Sequence, residues 1–323
     1  MLKYLGKRIM SLIPVVIIIS ILLFSLVKMM PGDVVLGMIN PNIKDPVAYK
    51  QEYARIEQQL GLDKSLPEQY VRWVKSTVSG DLGMSTSKNR PVKDVIGTPL
   101  KNTIFLNIIA MSLAFVISVI VGIKSAVNRG GKFDKFWQIF SLVGMSMPTL
   151  LISVLLIYVL SIKFKLFPTG GMPLPGTTGP AYLVEWFKFA TLPILTLTIG
   201  SFATTIRYVR NAMIEVLNSD YIRTARAKGL SEKVVIYQHA FRNALIPVVT
   251  ILAGMLAGLF GGAAITEQIF SWNGIGNVLI QAVTARDFML ILSLNMFYAV
   301  IALLSNVIMD IGYAAVDPRV KLD

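Results

Sequence analysis

Apolar residues along this chain gather into long runs separated by polar breaks. Ile9–Val27, Thr103–Val127, Phe136–Ile162, Trp186–Tyr208, Ile246–Ile265 and Phe288–Gly312 are each long enough to cross about 30 Å of hydrocarbon as a helix. This pattern predicts an all-α polytopic membrane protein with six transmembrane helices. The first run has the basic start of a signal peptide (Lys3, Lys7, Arg8), but it is longer than an h-region and no A-x-A-like site follows it, so it reads as an uncleaved span. In the fifth run Gly254, Gly258 and Gly262 fall four apart, a small-residue stripe whose commonest meaning is close helix packing.

Two polar breaks carry structure of their own. Between spans 1 and 2, Asp45-Pro46 forms the cap and first turn of a helix that Gly61 ends, and Ser65-Leu66-Pro67 opens a second. Tyr70, Trp73, Val74 and Thr77 give that second helix a semi-apolar face before Gly80-Asp81-Leu82-Gly83 breaks it, so residues 31–100 read as a small folded helical cap. The other break runs from Ser219 to Pro247. Tyr221 to Lys228 is a short helix with Tyr221, Ile222 and Ala225 among Arg223, Thr224, Arg226 and Lys228, and Gly229-Leu230 stops it. Ser231 then caps a second helix whose Val234, Tyr237, Phe241 and Ala244 share a face. Two amphipathic helices joined by a Gly-Leu-Ser elbow form a knuckle on the membrane surface. It reads either as a docking platform for a soluble partner or as a solvated loop touching lipid headgroups.

Charge fixes the orientation. Lys3, Lys7, Arg8, Lys124, Arg129, Lys132, Lys135, Arg207, Arg210, Arg223, Arg226, Lys228, Lys233, Arg242, Arg319 and Lys321 all fall on one side of a six-span arrangement. The short loops opposite carry only Lys163, Lys165, Lys188 and Arg286, which predicts N-in, C-in with the basic elbow in the cytosol. The net charge of +13 is explained by this topology, because no basic stripe is interleaved with stacking aromatics as a nucleic-acid partner requires. The expected organisation is residues 1–30 for the cytosolic N-terminus and span 1, 31–100 for the extracytoplasmic insertion, and 101–312 for the transmembrane core of spans 2–6 with its elbow region 210–247. Residues 313–323 form a cytosolic tail.

Catalytic chemistry finds little support. The chain has no cysteine, and its single histidine, His239, has no second imidazole for a zinc site and no nucleophile triad. Gly131-Lys132 lacks the earlier glycine and following hydroxyl of a phosphate loop, so no catalytic, metal or cofactor set is assigned. Glu215 and Asp220, beside Arg210 and Arg223, read as surface ion-pairing groups. Ion-coupled transport usually needs a carboxylate near the midplane, and none is found there, so transport powered from elsewhere fits better. Asn107, Ser112 and Asn295 are the polar candidates for lining a pathway. An ATP-independent channel or facilitator stays open as a reading from another class, and a membrane enzyme lacks its catalytic cluster.

A series of short motifs runs nearly the whole chain: Met30-Pro31-Gly32-Asp33, Leu60-Gly61-Leu62-Asp63 with Gln69-Tyr70 and Trp73, Gly80-Asp81-Leu82-Gly83-Met84-Ser85, and Pro91-Val92. Further on come Tyr221-Ile222-Arg223-Thr224-Ala225-Arg226-Ala227-Lys228-Gly229-Leu230, Arg242-Asn243-Ala244-Leu245-Ile246-Pro247 and Asp317-Pro318-Arg319-Val320. In order and spacing they resemble the permeases of ABC importers, in the B-type subunits of the dipeptide/oligopeptide/nickel branch. The resemblance implies a type I-like importer fold in a bacterial or archaeal inner membrane. It also implies a second homologous permease, two ATPase subunits that bind ATP and magnesium, and an extracytoplasmic substrate-binding protein. Tyr221–Arg226 and Lys228–Leu230 match the coupling helix of such proteins, although only Ala225 agrees with the leading positions of the general E-A-A-x-x-x-G pattern. Peptide and nickel or another small solute both stay open as cargo, and the missing cysteine and single cytosolic histidine tilt the reading toward peptide.

Overall fold

The computed structural model describes residues 2–33, 35–36, 38–40, 42–244, 258–260 and 263–316. The chain is mostly helical. Leu2–Met29 forms α1, Pro46–Leu60 α2 and Leu66–Val78 α3, and a two-stranded hairpin, β1 (Met84–Ser85) and β2 (Arg90–Pro91), leads into α4 (Val92–Val127). Lys132–Ser146 is α5, Thr149–Leu156 is α6 with a wider π-type continuation over Ile157–Lys163, and Gly179–Leu217 is α7. Asp220–Ala227 is α8, and Glu232–Val234 is α9, continued by π-type turns over Val235–Ala240. Ala264–Ile269 (α10), Ile275–Thr284 (α11) and Phe288–Val316 (α12) follow among the described residues.

Four of these helices, within α1, α4, α7 and α12, are long and apolar enough to cross a membrane. The run expected as one third span is instead two helices, α5 and α6, bent by 107°. Pro148 accounts for the break: it has no N–H for the helix ladder and disfavours helical backbone at Met147, which is extended with ψ 127°. Most of the expected fifth span, with Gly254 and Gly262 of its stripe, lies outside the described residues. The helix of span 2 begins at Val92, inside the stretch assigned to the insertion.

In the insertion the local signals act as read. The Asp45 carboxylate accepts from the Val47 and Ala48 N–H groups at 3.0 and 3.4 Å, and Gly61 ends α2 in the left-handed region at φ +67°. Glu68 accepts from Ser65 N–H at 3.3 Å at the start of α3. The apolar face of α3 then lies on α1: Trp73 stacks on Phe24 with centroids 5.8 Å apart, and the Tyr70 hydroxyl meets Ser20 Oγ at 2.7 Å.

The membrane core is built on the long α4–α7 pair. Small residues bring the two backbones together: a Cβ on Gly122 would sit 2.7 Å from Val209 Cγ1, and Ala110, Ala114 and Ala203 are buried along the seam. Two hydroxyls cross it, Ser118 to the Phe202 carbonyl and Thr198 to the Ala110 carbonyl, both at 3.3 Å.

Candidate functional site

At the end of α7 the chain turns through Asn218 and Ser219 into α8. Ile222 is fully buried and Ala225 nearly so; they pack with Ile123 and Ala126 of α4, Val209 and Met213 of α7, and Val235 and Ala240 beyond the elbow. Ile222 and the small Ala225, one turn apart on an eight-residue helix, pin one face and leave the other in solvent. That outer face and the elbow after it carry Tyr221, Arg223, Thr224, Arg226, Lys228, Gly229 and Leu230, all exposed. The structure thus divides the residues that the resemblance singled out: Ile222 and Ala225 are buried, and the other seven are exposed.

Gly229 is left-handed at φ +76°, and its N–H donates to the Arg226 carbonyl at 2.9 Å, so the elbow closes as the glycine in the sequence predicts. Across it the Arg226 guanidinium donates to both Glu232 carboxylate oxygens at 2.7 and 3.3 Å. That guanidinium holds the Glu232 carboxyl below its usual range. Ser231, expected as the second helix's cap, makes no side-chain cap bond. Asp220 and Arg223 meet at 3.4 Å as an exposed pair.

Arg210 is not paired with Glu215. Its Nε and Nη2 donate to Asp134 Oδ1 and Oδ2 at 2.6 and 2.8 Å, and Gly130 N–H donates to Oδ2 at 2.8 Å. Asp134 is fully buried, and the Arg210 guanidinium holds its carboxyl below the ordinary value against the opposing effect of burial. This bidentate bridge fixes the turn between α4 and α5 to α7 just ahead of α8. The basic residues of that turn stand out in the sequence, whereas Asp134 does not, because its partner is 76 positions away.

The three pathway candidates fall in different settings. Asn107 is buried and donates to the Gly258 and Leu259 carbonyls at 3.2 and 3.0 Å. Ser112 is exposed, and Asn295 is half-buried and bonded to its own helix at Ile291. His239 is half-buried on the elbow, its carbonyl accepting from Asn243.

A second buried carboxylate lies at the opposite end of the α4–α7 pair. Glu267 of α10 is fully buried and accepts from the Thr103 hydroxyl at 2.6 Å and the Asn277 N–H at 2.9 Å; Thr103 in turn accepts from Ile275 N–H. Burial pushes this carboxyl above its ordinary value, and the hydrogen bonds act the other way. The neighbouring Trp272 packs edge-on against Trp186 at 5.4 Å. Thr-Glu followed by Trp-Asn-Gly-Ile-Gly was visible in sequence, but nothing local revealed that Thr103 would close on it.

A small-residue α4–α7 seam and four long apolar helices define a helical membrane protein, with a basic knuckle at the end of α7. Solved structures agree on the fold: one of the MetNI methionine ABC transporter in inward-facing conformations aligns with TM-score 0.52 at 18% identity, over 68% of this chain and 96% of that one. Residues 114–322 match the profile of the binding-protein-dependent transport system inner membrane component, and residues 1–118 match the N-terminal profile of the same systems. The oligopeptide transport system permease protein AppB of Bacillus subtilis is 36% identical over 322 residues, covering 99% of this chain and 100% of that protein. The glutathione transport system permease protein GsiC of Escherichia coli K12 is 35% identical over 321 residues and 99% of both chains. This chain belongs to the family of binding-protein-dependent transport system inner membrane components. It is a multi-pass transport subunit of an ABC system rather than a catalytic one.

Proposed function

We propose that this chain is one of two permeases in an ATP-driven importer of di- or oligopeptides, set in a bacterial or archaeal inner membrane with six spans, N-in and C-in. The exposed face of α8 and the elbow through Leu230 seats on an ATPase subunit, which binds ATP and magnesium. Closure of the ATPases rocks the spans through this knuckle, and the insertion of residues 31–100 faces the extracytoplasmic binding protein. The likeness to AppB along its whole length supports the peptide reading. The single observation that carries the coupling role is the split of α8, with Ile222 buried in a rigid base and its tyrosine and cations turned outward.

The test is to tag this chain, extract it gently from its native membrane and identify what accompanies it by mass spectrometry. A second permease and ATPase subunits are expected, with energy-dependent uptake of a labelled tripeptide but not of nickel in intact cells. Recovery of this chain alone in several mild detergents would overturn the importer reading in favour of a channel. Uptake of nickel in place of the tripeptide would overturn the cargo.

A further inference from the structure

Both ends of the extracytoplasmic insertion converge on two residues that precede the last span. At its exit, the hairpin β1–β2 is held by Asp287, which is fully buried. Asp287 Oδ2 accepts from Ser85 Oγ at 2.5 Å, Ser87 Oγ at 2.7 Å and Ser87 N–H at 3.0 Å. Its other oxygen, Oδ1, accepts from Leu290 N–H at 3.2 Å, so the same carboxylate is the N-cap of α12. At the insertion's entry, Gly32 is left-handed at φ +137°, and a Cβ there would lie 3.2 Å from Arg286 Cδ. The next residue, Asp33, carries the link into α2, accepting from the Tyr53 hydroxyl at 2.8 Å.

We infer that Asp287 is a positioning residue of the transport cycle: it clamps the insertion hairpin to the N-terminus of α12, so that a load on the insertion moves the last span. The inference rests on the reading that the insertion meets a binding protein. A buried carboxylate with four donors has one favourable arrangement. Sliding the hairpin without the helix leaves the fully buried Asp287 carboxylate short of donors, a cost that opposes the slide. The apolar packing around the clamp is continuous across the same bodies. Trp73 of α3, Val92 and Ile96 of α4, and Ile275 and Val278 of α11 share one core with Leu290 of α12. Lys88, at the hairpin tip, also reaches Gln281 of α11 at 3.0 Å. Hairpin, α11 and the start of α12 therefore shift as a unit.

The experiment uses the complex extracted from native membranes, with Asp287→Asn and with the double change Ser85→Ala, Ser87→Ala. The binding protein recovered from the same cells is the probe. Both variants are expected to lose the binding protein's stimulation of ATP hydrolysis, while basal hydrolysis and the affinity for the binding protein, measured by direct binding, stay within about twofold of wild type. Amide exchange over residues 83–91 should rise about tenfold, the factor set by about 1.4 kcal/mol, with α8 unaffected. Stimulation at the wild-type level overturns the inference, and so does a parallel fall in basal hydrolysis, which would mark Asp287 as a fold residue alone. A wild-type complex that its binding protein does not stimulate overturns the importer reading instead. Exchange then decides the clamp, and unchanged exchange at 83–91 in Asp287→Asn overturns it.

Discussion

Arg210 donates two hydrogen bonds to the fully buried carboxylate of Asp134, at 2.6 and 2.8 Å, and so ties the α4–α5 turn to the helix that feeds the basic knuckle. Removing one partner of a buried pair strands the other. Asp134→Ala is therefore expected to cost about 3 kcal/mol, the lower end of the usual range, because Arg210 keeps some contact with water. Thermal unfolding of the detergent-solubilised chain checks this, and a loss below about 1 kcal/mol would count against an anchoring role.

The two faces of α8 should respond differently to truncation. Ile222→Ala removes a fully buried side chain and is expected to destabilise by about 2–5 kcal/mol. Tyr221→Ala, on the exposed face, should change stability by no more than about 0.5 kcal/mol yet reduce the ATPase recovered with the tagged chain. Equal recovery from Tyr221→Ala and wild type would remove the outer face from the docking surface.

Gly229 has no neighbouring atom within 4 Å of where a Cβ would stand, so a substitution there strains only the backbone at φ +76°. Both Gly229→Ala and Gly229→Arg should cost about 1 kcal/mol of stability and insert normally. The arginine, whose bulk enters the partner's space, should abolish uptake and ATPase association, while the alanine leaves most of both. Normal uptake in Gly229→Arg would sink the coupling assignment.

Glu267 gives a pH dependence with a definite sign. Its carboxyl is raised above the ordinary 4.5 by burial, so its favourable contribution is fully present below that value and is lost as pH rises through the raised one. The melting temperature of the wild type minus that of Glu267→Gln should therefore increase on going from about pH 7.5 to about pH 5. A difference that is flat or shrinks on acidification refutes the buried, hydrophobically raised carboxyl.

The sequence by itself determined the features that depend on a few neighbouring residues. Apolar runs of spanning length stand out because hydrocarbon thickness sets a minimum length, and four of them appear as spanning helices. The ends of α2 and α8 were legible at Gly61 and Gly229, because only glycine takes the left-handed region without strain. The outward face of α8 was legible too, as cations and a tyrosine around a short apolar stripe. What only the tertiary structure decided lies between distant positions: Asp134 with Arg210, Thr103 with Glu267 across 164 positions, and Ser85 with Asp287 across 202. Each carboxylate looked like a loop acid in sequence, since charge in a polar break is normally solvated. Packing removed the water, and a buried carboxylate must then find donors wherever the fold brings them, which no local pattern encodes. The bend at Pro148 and the short helices α10 and α11 belong to the same class, because their direction is set by what they pack against.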